Sequence, residues 1–300
     1  MALSDTAACL SALGYAPDTR LVILHADDVG MCQAETQSFL DMAAAGTVRC
    51  GAVMAPCPWV PAIAHAYQKD PSLDLGAHIT LNAEWVDYRW GPLSSRDPES
   101  GLIDAEGALW ATVAAFNEHA RPAAAITEMH AQVDHLLAQG IELTHIDTHM
   151  GTVFHPEIAA AYMELGLEYR LPVMVPRHIL GEMAAGGMPA EAQAAIQKRY
   201  DALLAHGYPL IDCITTCGGG PERRMERYLK IIDELPAGIS HLLFHSARPS
   251  AELQGLAYDW PNRVADHNVF IDPAVREYIA AKPNYVVIGY RDLRDMVRAR

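Results

Sequence analysis

The sequence predicts an α/β fold in which seven or eight parallel strands close into a β/α barrel, one domain over residues 1–300. Three observations lead there. Short apolar runs alternate with longer helical patterns along the whole chain. The runs are almost continuously apolar, as expected of strands covered on both faces by crossover helices. Seven or eight such units in 300 residues, 51% of them hydrophobic, favour closure into a barrel over an open sheet. No linker, repeat or low-complexity stretch divides the chain.

The elements follow in order. Residues 1–20 predict a short helical extension; their start, MALSDTAACLSALGY, lacks a basic n-region and is a poor signal peptide. LVILHA (21–26) predicts the first strand, and QSFLDMAAAG (37–46) a helix closed by Gly46. CGAVMA (50–55) predicts a strand, PWVPAIAHAYQKD (58–70) a helix with prolines in its first turn, and LDLGAHITL (73–81) a strand. Residues 82–101 are too polar and turn-rich for a core element. Helix and strand then alternate: 123–140 and 141–149, 155–169 and 171–176, 189–207 and 209–216, 221–235 and 239–246, 272–282 and 285–290. The glycines of TTCGGGPERR predict a mobile loop at the barrel rim; the spacing of a phosphate loop is absent.

A net charge of −15 argues against nucleic acid or an anionic membrane as partner, since both select basic surfaces. No apolar run reaches the length of a membrane span. The six cysteines, Cys9, Cys32, Cys50, Cys57, Cys213 and Cys217, show no framework spacing. They predict reduced thiols and a cytoplasmic location. A homodimer is compatible with the composition, although no segment identifies an interface.

Residues able to do chemistry collect at predicted strand C-termini, which open on one face in parallel β/α folds. Asp27 and Asp28 end the first strand, His78 the third, and His145, Asp147 and His149 the fourth; His245 ends the strand 239–246. Adjacent carboxylates repel unless a cation neutralises at least one. A divalent ion on Asp28, with Asp27 free beside it as a base, resolves the repulsion. Carboxylate and imidazole donors suit zinc as well as manganese, iron or cobalt. The bland alternative is that Asp28 caps the next helix while Asp27 faces solvent. Likewise His78 alone reads equally as a buried, hydrogen-bonded histidine, and THIDTH as a solvated turn, although alternation puts His145, Asp147 and His149 on one strand face. His65, His119, His130, His135 and His206 fall on helical segments and are expected at the surface.

HADDVG, LGAHITL and THIDTH, in this order and approximate spacing, together with the tail NRVADHNVFIDPAVREYIAAKPNYVVIGYRDL, resemble the YdjC-like carbohydrate deacetylases. That family includes the chitooligosaccharide deacetylases and the hopanoid-biosynthesis-associated members. The resemblance spans about residues 20 to 295. It implies a deformed β/α barrel, one divalent ion (zinc or magnesium), and removal of an acetyl group from an N-acetylated sugar by activated water. It further implies Asp28, His78 and His149 as the metal ligands, Asp27 as the catalytic carboxylate, His245 as a late histidine of the pocket, and Arg170 as an arginine near the substrate. Trp85, Tyr88 and Trp90 lie in the loop after His78, and sugar rings stack on aromatic faces; Trp85 and Trp90 are therefore candidate substrate contacts, the other reading being loop anchors. The fourth motif departs from the chitooligosaccharide enzymes, reading HMGTVFH. That departure leaves open a metal-dependent amidase acting on a non-chitin, non-acetyl substrate. A sugar-binding barrel without turnover is a further alternative, and a metal-ligand set argues against it.

Overall fold

The computed structural model of the chain describes residues 5–300. Asp5 caps a short helix, Thr6–Ala12, by accepting from the Ala8 N–H, and the chain then enters the sheet. Seven strands, all paired in parallel, occur among the described residues: β1 (Arg20–Val29), β2 (Cys50–Val53), β3 (Asp74–Ile79), β4 (Ile146–Thr148), β5 (Cys213–Thr215), β6 (Gly238–Phe244) and β7 (Tyr285–Ile288). Hydrogen-bonded neighbours run β4-β3-β2-β1-β6-β5. β6 pairs with residues 20–26 of β1. The other edge of β1 is divided, β7 taking residues 20–23 and β2 residues 25–29.

The full strand expected over 171–176 is reduced to two single parallel bridges, Ile146↔Val173 and Pro176↔Ile211. Pro172 and Pro176 have no N–H to donate, so a continuous ladder cannot run through them. The bridges still carry the chain from β4 round to β5, and the sheet curls into a deformed barrel. Crossover helices coat it, among them Gln33–Ala45, closed by Gly46 in the left-handed region at φ 71° as expected. The helix Trp260–Ile271 escapes the sequence pattern because its buried face mixes Arg263, Asp266 and His267 with Val269 and Phe270, which blurs the apolar period. The last expected strand stops at Ile288, and Tyr290 opens a helix to Arg298. No helix among the described residues is long and apolar enough to cross a membrane.

Alternation along the strands separates two cores. Val22, Leu24 and Ala26 face the layer between sheet and helices. Leu21 and Ile23 of β1 join Cys50, Ile211, Ile239 and Ile288 in the barrel interior. Continuing that parity upward along β1 gives His25 and then Asp27; along β6, Ile239 leads to His241 and His245. The interior is thus apolar at the strand N-termini and polar at the C-termini, which is what places a site there.

One irregularity decides what that site contains. The β1–β2 register shifts between Ala26 and Val29, and within this bulge Asp28 adopts φ 62°. Neighbouring strand residues otherwise point to opposite faces; the left-handed residue breaks the alternation and turns Asp28 to the same side as Asp27. Gly51 packs beneath the bulge, where an added Cβ would lie 2.6 Å from the Ala26 carbonyl oxygen. Gly51→Ala is therefore expected to cost about 1–3 kcal/mol through overpacking, measured as a lowered Tm in thermal denaturation.

Candidate metal centre

Asp28, His78 and His149 come together from three strand ends, β1, β3 and the turn just past β4. Each offers a donor atom within 4.8 Å of the others. Asp28 Oδ1 lies 3.2 Å from His149 Nδ1 and 3.5 Å from His78 Nε2, and all three residues are buried. Asp28 Oδ1 and His78 Nε2 have no hydrogen-bond partner. Buried orphan polar atoms are costly, and here two of them face one gap bordered by a third donor. A divalent cation in that gap would satisfy all three, and an Asp-His-His set is an ordinary one for such an ion with coordination positions left over.

The outer face of each imidazole is held as a ligand's should be. His78 Nδ1–H donates to Asp147 Oδ1 at 2.8 Å, and His149 Nε2–H donates to Glu84 Oε2 at 2.9 Å. Such carboxylate backing fixes the tautomer that leaves the inner nitrogen bare for a cation. Burial opposes ionisation of Asp28, but the charges of His245 and His149 and the close approach of the His149 and His78 rings outweigh it and hold the carboxyl well below its usual range. Burial likewise pulls His149 down, and Glu84 with Asp28 overcomes it, pushing the imidazole up to about 9. The centre is built to attract positive charge.

Asp28 Oδ2 is engaged on its other side by Arg263, whose Nη1 lies 2.8 Å away. The same guanidinium bonds Glu35, donates from Nε to Asp259 Oδ1 at 2.9 Å, and lies over the Trp85 ring at 5.2 Å. Nothing local in the sequence marks Arg263 or Glu35. They sit 235 and 7 positions from Asp28, and Arg263 belongs to a helix whose periodicity its own charge obscures. Glu84 was equally hidden, inside a stretch legible only as loop.

Asp27 stands beside the cluster, 7% exposed. His245, 36% exposed, faces it with Nε2 at 3.9 Å from Asp27 Oδ2 and 4.0 Å from Asp28 Oδ2. The structure thus brings together Asp27, Asp28, His78, His149 and His245. Three expectations are corrected. Arg170 lies at the other end of the barrel, at the C-terminus of the helix Ala159–Tyr169, where its guanidinium bonds the Arg298 carbonyl at 3.1 Å. Trp85 and Trp90 are 3% and 5% exposed and offer no open ring face to a sugar. Trp85 points Nε1 at Met31 Sδ and Trp90 bonds the Asn82 carbonyl, so both are anchors of the loop that carries Glu84. The exposed aromatic here is Tyr258, 87% accessible and edge-on to Trp85 at 5.2 Å. The glycine-rich 218–220 segment has its carbonyls bonded by Arg224 and Arg227, which ties down a loop expected to be mobile. Of the helical histidines, His65, His119 and His206 are exposed, and His130 and His135 half-buried.

Comparison with known proteins identifies the family. The profile of the family described as YdjC-like protein matches residues 21–281. A carbohydrate deacetylase of Thermus thermophilus is 30% identical over 261 residues, covering 87% of this chain and 90% of the relative. One of Thermoanaerobacter pseudethanolicus is 22% identical over 92% of this chain and 100% of the relative. In fold, the chain is similar to a crystal structure from Enterococcus faecalis V583 of a protein assigned to cellobiose-phosphate cleavage. The TM-score is 0.73 at 19% identity, covering 92% of this chain and 99% of that one.

Replacing Asp28, His78 or His149 by Ala is expected to abolish ion retention, measured by elemental analysis of the purified protein. Glu84→Gln and Asp147→Asn are expected to weaken zinc binding about 10–100-fold, measured by competition with a chromogenic chelator. Arg263→Met leaves two buried carboxylates without their cation and is expected to destabilise the metal-free protein by about 3–5 kcal/mol, measured by urea denaturation.

Proposed function

This chain belongs to the YdjC-like family, and from that premise we propose that it is a carbohydrate deacetylase, hydrolysing the acetamido group of an N-acetylated sugar. One observation carries the proposal most directly: a second carboxylate, Asp27, beside an Asp-His-His cluster in which Asp28 Oδ1 and His78 Nε2 lack partners. Pure sugar binding needs neither. Asp28, His78 and His149 would hold one divalent ion, zinc or magnesium. When bound, such an ion supplies Lewis acidity to a carbonyl oxygen and to water.

The remaining steps belong to the chain's own side chains. Asp27 is suited to general base. Burial alone would raise its pKa, but the hydrogen bond from His25 and the nearby imidazoles of His78, His25 and His245 hold it below the ordinary carboxylate range, so it is ionised and ready to accept water's proton. His245 stands across the mouth on the more exposed side and is placed to protonate the departing amine. Buried walls around Asp28 exclude bulk water and strengthen these interactions. Tyr258, exposed and resting against Trp85, takes the sugar-stacking role that the two buried tryptophans cannot. The free cysteines support a reducing, cytoplasmic location, and we place the activity in one catalytic domain.

Release of acetate from a panel of N-acetylated mono- and disaccharides by the zinc- or magnesium-loaded protein tests the proposal; cleavage of other amides with no acetate release from any sugar would overturn it. Asp27→Asn is expected to retain the ion while kcat falls by about 10²–10⁴-fold, with elemental analysis and initial rates measured on the same preparation.

A further inference from the structure

Behind Asp27 the barrel interior holds a line of hydrogen bonds of which the reaction scheme uses only the first. His25 Nδ1 lies 2.7 Å from Asp27 Oδ1. His25 Nε2 lies 2.8 Å from His145 Nε2, and His145 Nδ1 lies 2.9 Å from Thr144 Oγ1. His25, His145 and Thr144 are all fully buried.

The packing leaves these rings no freedom. Tyr290 stacks on His145 with centroids 3.9 Å apart and meets His25 edge-on at 5.9 Å. Its hydroxyl is 2.8 Å from His241 Nδ1, and the His241 ring lies 4.4 Å from His25. On the other side, β3 passes close at Gly76, where any Cβ would overlap the His145 ring. A cation could in principle take His25, Asp27, Asp147 and His241 together, since their donor atoms also lie within 4.8 Å. None of those atoms is a buried orphan, unlike Asp28 Oδ1 and His78 Nε2. Internal hydrogen bonding, not metal binding, is what this second cluster is built for.

Counting protons gives the line a direction. An ionised carboxylate only accepts, so His25 must carry its proton on Nδ1. With the imidazoles neutral, His25 Nε2 is bare and must accept from His145 Nε2–H. His145 Nδ1 is then bare and accepts from the Thr144 hydroxyl. Burial, reinforced by the neighbouring imidazoles, pushes the pKa of His145 and of His241 well down, in keeping with neutral rings. With Asp27 ionised and the imidazoles neutral, every donor in the line meets one acceptor.

We propose that His25 is a positioning residue for the deacetylation, holding one oxygen of Asp27 through Nδ1–H, with its tautomer set by that carboxylate and its other nitrogen held by the line through His145 to the Thr144 hydroxyl. The proposal rests on Asp27 as the base. It assigns the hydrogen bond on Oδ1 a purpose: one carboxylate oxygen is fixed, and Oδ2, the oxygen turned towards His245, is the one offered to the reacting water. It also makes a threonine two imidazoles away from the base part of the machinery.

The test is carried out on the full-length zinc-loaded protein with ¹⁵N-labelled histidine. Long-range ¹H–¹⁵N correlation spectra are expected to show His25 protonated on Nδ1 alone and His145 on Nε2 alone. In Thr144→Val, His145 is expected to keep its proton on Nε2 while the ¹⁵N shift of its bare Nδ1 changes as the donor is lost, and kcat is expected to fall by about 10²-fold, the scale of a small misplacement of a reacting group, with KM and bound zinc unchanged. Thr144→Ser, which keeps the hydroxyl, is expected to restore both the Nδ1 shift and the rate. His25→Asn, which keeps an N–H near Nδ1, is expected to retain more activity than His25→Leu. A wild-type His25 protonated on Nε2 alone or on both nitrogens would overturn the proposal, as would a Thr144→Val protein with unchanged kcat. Should the wild type release no acetate, the functional proposal falls, and the tautomer spectra still decide the hydrogen-bond line on their own.

Discussion

Two carboxylates on consecutive residues, both buried at the mouth of one barrel, are the constraint around which the rest is arranged. Held within a low-dielectric wall, they repel each other and resist ionisation. The chain answers with Arg263 on one side of Asp28, His25 beneath Asp27 and His245 across from both, while the inner nitrogens of His78 and His149 face Asp28 without donating to it. What is left uncompensated is the gap between Asp28 Oδ1 and His78 Nε2, and its chemistry is that of a cation's seat.

The backbone has its own part in this. A regular strand would send Asp27 and Asp28 to opposite faces, one into the barrel and one towards the helices. The bulge with its left-handed aspartate removes that choice at the expense of an uncommon φ, a cost of order 1–3 kcal/mol that the surrounding contacts must overcome. Arg263 and the pairing of β1 with β2 and β6 hold the conformation in place. Strain and charge therefore occur at the same residue, and both are relieved by the same partners.

Layering in the barrel extends the logic below the site. The residues facing inward change from aliphatic at the N-terminal end to histidine, threonine and tyrosine in the middle, then to the ligand set at the top. The middle layer is neither hydrophobic packing nor metal centre. Its rings are stacked and hydrogen-bonded in a single pattern, so it passes orientation upward to Asp27 instead of merely filling space.

The alternation of apolar runs and helices determined the architecture and brought Asp27, Asp28, His78, His145, Asp147 and His149 to strand ends, because a parallel β/α sheet sends every strand's C-terminal end to one rim whatever the details; Asp28, His78 and His149 were singled out as ligands by the resemblance to the YdjC-like family. His245 was legible for the same reason. Arg263, Glu35 and Glu84 were not, since their roles come from contacts between segments far apart in sequence or inside an irregular loop, where no period marks them. Nor could the sequence tell a buried tryptophan from an exposed one in a loop, or place Arg170 at the correct end of the barrel; the first depends on what packs over the ring, the second on where a helix stops. The sequence by itself determined which donors reach the rim. Only the tertiary structure decided that both aspartates turn inward, which atoms lack partners, and how His25, His145 and Thr144 line up, because those follow from a single backbone inversion at Asp28 and from the register between strands.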